Sequence, residues 1–144
     1  MDGTEWRLAE GLLVTIFALV RAYYARGSPR EADYFIQQAS ALAHSLNAPA
    51  MVGRALARQG EISLRLGHLE EGCKYLVEAA DLMSNVCGPD AVDIHRLRGD
   101  YSLKSADEQT AQQLYAEATA MLDELGKMFA GLDINAVRYV HRSR

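Results

Sequence analysis

One feature constrains the fold of this chain more than any other: it repeats itself. Ala32, Ile36, Ala39, Leu42 and Leu46 recur forty residues on as Gly72, Leu76, Ala79, Leu82 and Val86, and thirty-nine further on as Ala111, Tyr115, Ala118, Met121 and Leu125. All fifteen positions hold small or apolar residues except for the phenol of Tyr115, and their spacing is helical. Upstream, Gly60 aligns with Gly99 and Gly27 with Gly67. A period of this length means stacked supersecondary units, each too small to bury its own apolar face alone.

Each unit reads as helix, tight turn, helix. The pattern predicts a helix from about Thr4 to Arg26, stopped by Gly27-Ser28-Pro29, where Gly ends one helix and Pro opens the next. The second runs to about Leu46 and ends in Asn47-Ala48-Pro49. A third covers Ala50 to Leu66 and stops at Gly67, and a fourth spans Leu69 to about Val86 before Cys87-Gly88-Pro89-Asp90. The fifth covers Ala91 to Leu103, the sixth Ala106 to Phe129, and a short seventh is predicted from Asp133 to about His141. No segment alternates with period two, so no sheet is expected. Small residues let helix axes approach closely, which is the expected role of Ala39, Ala79 and Ala118 opposite Gly60 and Gly99. The expected architecture is all-α: about three antiparallel helix hairpins in a short right-handed solenoid, one domain over residues 1–144 and a fragment of a longer chain.

The turn glycines, the small crossing residues and the aromatic at Tyr115 resemble the tetratricopeptide (TPR) repeat. The usual TPR period is 34 residues and this one is longer. Only the first copy, at Tyr23, has an aromatic where a TPR places its tyrosine before the turn. A closer likeness lies in "RGSPREADYFIQQASALAHSLNAPAMVGRALARQGEISLRLGHLEEGCKYLVEAA", from Arg26 to Ala80, and in "AQQLYAEATAMLDELGKMFAGLD". Both stretches resemble the helical-repeat region of fungal separases, the large cysteine proteases that cleave cohesin and are restrained by securin. The family's protease domain and its His-Cys dyad have no counterpart here, so the resemblance implies a scaffold segment that helps seat securin or a substrate. The alternative is a free-standing TPR-like regulatory or sensor domain of a signalling or transcription protein.

Composition and chemistry narrow the functions. A net charge of −4 argues against a nucleic-acid surface, and Arg138, Arg142 and Arg144 read as a solvated tail. Two cysteines fourteen residues apart, Cys73 and Cys87, make neither a disulfide scaffold nor a zinc site, and point to an intracellular protein of cytoplasm or nucleus. The apolar run Leu12 to Val20 is nine residues where a bilayer needs about 20, and Asp2, Glu5 and Glu10 precede it in place of the positive charge of a signal peptide. No membrane is therefore expected. His44, His68, His95 and His141 form no i, i+4 pair, Cys73 reads as core filler, and no phosphate loop or convergent carboxylates occur. No catalytic residue, metal, cofactor or small-molecule substrate is expected.

What remains is protein binding. In stacked hairpins the first helix of each pair lines one face. There the alignment places Arg21 and Tyr24, then Arg54, Glu61 and Arg65, then Asp93, Arg96, Asp100 and Lys104. With Arg58 and Arg98 this side is rich in arginine, whose planar fork suits carboxylates and so an extended acidic peptide. The plainer alternative is ordinary exposed charge in i, i+4 pairs, Glu61 with Arg65 and Arg96 with Asp100. The first helix is apolar all round, which normally means burial all round. Leu12, Ile16 and Phe17 are therefore expected at a self-association contact or beneath a preceding repeat.

Overall fold

The computed structural model describes residues 2–85 and 88–130, and among them the chain forms six α-helices and no strand. These are α1 (Gly3–Ala25), α2 (Pro29–Ser45), α3 (Pro49–Leu66), α4 (Leu69–Leu82), α5 (Pro89–Lys104) and α6 (Glu108–Phe129). Val86, Cys87, the expected helix at Asp133 to His141 and the arginine tail lie outside the described residues.

Four turns are closed by one device. Ser28 N–H donates to the carbonyl of Tyr23, Ala48 to Ala43, His68 to Ser63 and Asp107 to Ser102, each at 2.8 to 3.3 Å. This five-residue span is the Schellman closure, and it requires a left-handed residue just after the helix. Gly27 and Gly67 supply it with φ of 86° and 82°, Asn47 with 48° and Ala106 with 58°. The sixth helix accordingly starts at Glu108 and not at Ala106 as the sequence pattern implied. Ala106 belongs to the turn, and the Asp107 carboxylate caps the helix by accepting from Thr110 N–H at 3.1 Å. Of the other helices, α2, α3 and α5 open on proline, and α1 opens on an Asp2 carboxylate that accepts from Thr4 and Glu5 N–H.

Each helix packs on its neighbours in sequence, and α3 also touches α5. The repeated positions do the packing. Ala32, Gly72 and Ala111 are buried, as are Ala39, Ala79 and Ala118. Gly60 and Gly99 meet the aligned residues Leu76 and Tyr115: a Cβ at either glycine would come within 2.6 Å of the facing side chain. In α1 the equivalent position is Val20, also buried. Between hairpins the lock is Tyr101. Its hydroxyl and the ring carbon that bears it fill the space that a Gly72 side chain would occupy, and the hydroxyl donates to the Gly60 carbonyl at 2.5 Å.

The fourth helix ends at Leu82, short of the expected Val86, and two further expectations change. Cys73 is exposed and is not core filler. The nine-residue run counted earlier sits inside a 23-residue helix that holds an 18-residue window of mean hydropathy 1.5, enough by length and composition alone to cross a membrane. Within α1, only Leu13, Ile16 and Val20 are buried.

Candidate binding groove

The first helices of the three hairpins frame a groove of about 730 Å³. One wall is α1, with Val14, Phe17, Ala18, Arg21 and Tyr24. The opposite wall and floor are Arg54, Arg58 and Glu61 of α3 and Asp90 and Asp93 of α5. The α1 residues fall at three- and four-residue spacing, so a single helical stripe lines the groove. The α3 residues do the same.

Across the floor runs a ladder of ion pairs that ties α3 to α5. The Arg54 guanidinium donates to both oxygens of Asp90, at 3.0 and 3.4 Å. Arg58 donates to Glu61 at 2.8 Å and also to Asp93. Arg96 reaches Asp93 at 2.6 Å, Asp100 at 3.1 Å and Glu61 at 3.2 Å. Asp100 in turn accepts from the Tyr115 hydroxyl at 2.6 Å. Desolvation lowers the Arg58 pKa, an effect Glu61 opposes. Burial, helped by the hydrogen bond to Asp100, pushes the Tyr115 phenol up to about 12.

Arg65 closes one end. Its guanidinium donates to the Tyr24 carbonyl at 2.7 Å and stacks 4.6 Å from the centre of the Tyr24 ring, joining α3 to the end of α1. Burial, and then the nearby Glu61 carboxylate, raises the Tyr24 pKa. The expected Glu61–Arg65 pair is absent, because Arg58 and Arg96 hold Glu61 while Arg65 turns to α1. The expected Arg96–Asp100 pair is present.

Of the residues expected to bind a partner, Arg21, Tyr24, Arg54, Glu61 and Asp93 line the groove, and Arg65, Arg96 and Asp100 belong to its frame. Lys104, in the last turn of α5, is exposed and lies outside it. Eight lining residues fall outside the expected set: Val14, Phe17, Ala18, Val20, Arg58, Ile62, Pro89 and Asp90. Arg58 enters the sequence reading only through the arginine enrichment and Phe17 only through self-association. Helical spacing from Arg21, Arg54 and Asp93 is the signal that could have found Val14, Arg58 and Asp90. Most of the arginine surface is occupied by the chain's own carboxylates. Arg21 differs: it is exposed, lines the groove and enters no ion pair among the described residues.

Among the described residues no three His, Cys, Asp or Glu side chains gather as a metal site would require. The ring Nδ1 of His44 lies 2.7 Å from the Ser40 carbonyl and that of His95 lies 3.0 Å from Ala91, one turn back on their own helices. No protein-family model, curated protein or solved structure matches the chain.

Proposed function

We propose that this chain is a non-catalytic, TPR-like hairpin scaffold that binds a segment of another protein in the groove between α1, α3 and α5. The observation that carries the reading is the asymmetry of the groove. One wall presents Val14, Phe17 and Ala18 with the guanidinium of Arg21, which has no carboxylate among the described residues, while the other is a self-neutralised ladder. The matching ligand is a peptide with an apolar anchor for the α1 wall and one carboxylate for Arg21. It is not a uniformly acidic strand, because Arg54 and Arg58 already have partners. The hairpin order and the packing of α3 on α5 support the TPR-like solenoid reading. The likeness to the separase repeat region supports a chromosome-segregation scaffold, inside the cell, with a securin-like or substrate segment as the ligand. The free-standing sensor domain differs in partner and not in site.

The test is a peptide-display selection on the purified chain, followed by fluorescence anisotropy on the selected peptides. Phe17→Ala and Arg21→Glu should each weaken binding by about tenfold, the loss of roughly one good contact, with helical circular dichroism retained. Peptides that bind both variants as well as the parent chain would place the site elsewhere.

A further inference from the structure

The face of α1 turned away from the groove carries a second order. Glu5, Leu8, Leu12, Thr15, Leu19, Ala22 and Arg26 follow one another at steps of three and four residues, and all seven are exposed. That is the 3.5-residue period of a helix seam made to pair with another helix. Ile16, expected at a contact between copies, is not part of it, since it is buried inside the chain. Leu8 is 71% exposed and Leu12 54%. Thr15 fits an apolar seam because its hydroxyl already donates to the Gly11 carbonyl at 2.9 Å.

The repeat shows what these positions are for. One unit on, Leu12, Thr15, Leu19 and Ala22 become Val52, Ala55, Gln59 and Ile62, all buried. Two units on, Leu12, Thr15 and Ala22 become Ala91, Ile94 and Tyr101, again buried, and Leu19 becomes the half-buried Arg98. In the second and third hairpins a helix therefore covers this face. In the first, it is bare.

We propose that a second copy of this chain covers it, with the two α1 helices antiparallel about a twofold axis beside Thr15. Charge selects both the occupant and the direction. The seam begins on Glu5 and ends on Arg26, and neither enters an ion pair among the described residues. Antiparallel pairing brings each Glu5 beside the other copy's Arg26, with the leucines between. Parallel pairing would set like charges together at both ends. An open end-to-end array would instead seat the seam on α6, where Leu122 and Phe129 are exposed, and would not bring Glu5 and Arg26 together. A bilayer would surround α1, yet Leu13, Ile16 and Val20 are sealed against the rest of the chain. The twofold pair is closed and self-complementary, the commonest form of protein assembly. It leaves the groove open, since Phe17, Arg21 and Tyr24 lie on the other flank of α1, and it does not depend on the groove's ligand.

The experiment uses the whole 144-residue chain. Light scattering and sedimentation should show a dimer, and Leu12→Glu/Leu19→Glu should be monomeric with the same helical circular dichroism. Glu5→Arg should raise the dimer dissociation constant by about tenfold through two lost end pairs. The double reversal Glu5→Arg/Arg26→Glu should restore it. With Cys73 and Cys87 replaced by serine, oxidation should link copies of Glu5→Cys/Arg26→Cys but not copies of either single cysteine variant. A monomeric parent chain would overturn the proposal, as would a dimer that survives Leu12→Glu/Leu19→Glu. So would linking of single-cysteine variants, or transfer of the parent chain from dimer onto phosphatidylcholine vesicles.

Discussion

The hydroxyl of Tyr101 donates to the backbone carbonyl of Gly60 across the boundary between two hairpins, at 2.5 Å, with no side chain at Gly72 to obstruct its ring. Two substitutions separate the bond from the fit. Tyr101→Phe removes only the hydroxyl and should cost about 1 kcal/mol, the net value of one buried hydrogen bond. Gly72→Ala would drive a methyl into the phenol and should cost about 1–3 kcal/mol by overpacking. Combining them should recover part of the loss, since the clash is with the hydroxyl. Urea unfolding of the three variants measures this, and strictly additive losses would mean that the two residues do not meet.

Ala106 occupies the left-handed position that Gly27 and Gly67 occupy in the equivalent turns. A side chain in that region costs about 1–2 kcal/mol and glycine carries no such cost. Ala106→Gly should therefore raise stability by about 1 kcal/mol, after glycine's greater unfolded-state freedom is set against the relief. A fall in thermal midpoint would show that the turn is not left-handed at this residue.

Ala79 is fully buried where α4 crosses its neighbours. Ala79→Leu should destabilise by about 1–3 kcal/mol. Coincident melts of the variant and the parent would mean that the repeat register is misaligned.

That register was legible from the amino acids, because burial at a helix crossing restricts side-chain size and so writes a small residue at a fixed spacing. Ala39, Ala79 and Ala118 were found that way, and Gly60 and Gly99 with them. The turn at Ala106 was harder: alanine is a helix former, and only its alignment with Gly27 and Gly67 marks the turn. Arg96–Asp100 apart, the ladder was not legible. Arg54 meets Asp90, Arg58 meets Asp93 and Arg96 meets Glu61 across about one whole repeat, while the local pattern offered Glu61 a nearer partner in Arg65. Which arginine is paired and which is free depends on how two helices lie side by side. The seam on α1 was hidden for another reason: apolar residues surround the helix, so a stripe becomes visible only once the buried positions are subtracted.

Tyr24, Tyr101 and Tyr115 all have phenol pKa values raised chiefly by burial, that of Tyr115 to about 12. The folded chain thus holds its protons more tightly than the unfolded chain, whose tyrosines titrate near about 10. The stability these groups contribute is complete below that pH and is lost as pH rises toward the folded values. The thermal midpoint should be level through neutral pH and fall in strong alkali, and the fall should be shallower in Tyr101→Phe. An identical alkaline slope in that variant would remove Tyr101 from the account.

Arg58 is the most enclosed cation of the ladder, bridging Glu61 and Asp93. Arg58→Ala leaves two mostly covered carboxylates without it and should cost about 1–2 kcal/mol, between the values for exposed and for buried pairs. Its coupling to Asp93→Ala in a double-mutant cycle should shrink in high salt. Coupling independent of salt would point to packing by the arginine stem and not to charge.

In the ladder three guanidinium groups meet four carboxylates within a few ångströms. With Arg21 on the facing wall the charges balance, and such a mosaic casts almost no net field beyond the screening distance of about 8 Å in physiological salt. A peptide of the kind proposed would therefore be neither drawn in nor turned away, and its arrival rate would be set by collision geometry, on the order of 10⁵–10⁷ M⁻¹s⁻¹. Discrimination between such peptides would then fall on how long each one stays.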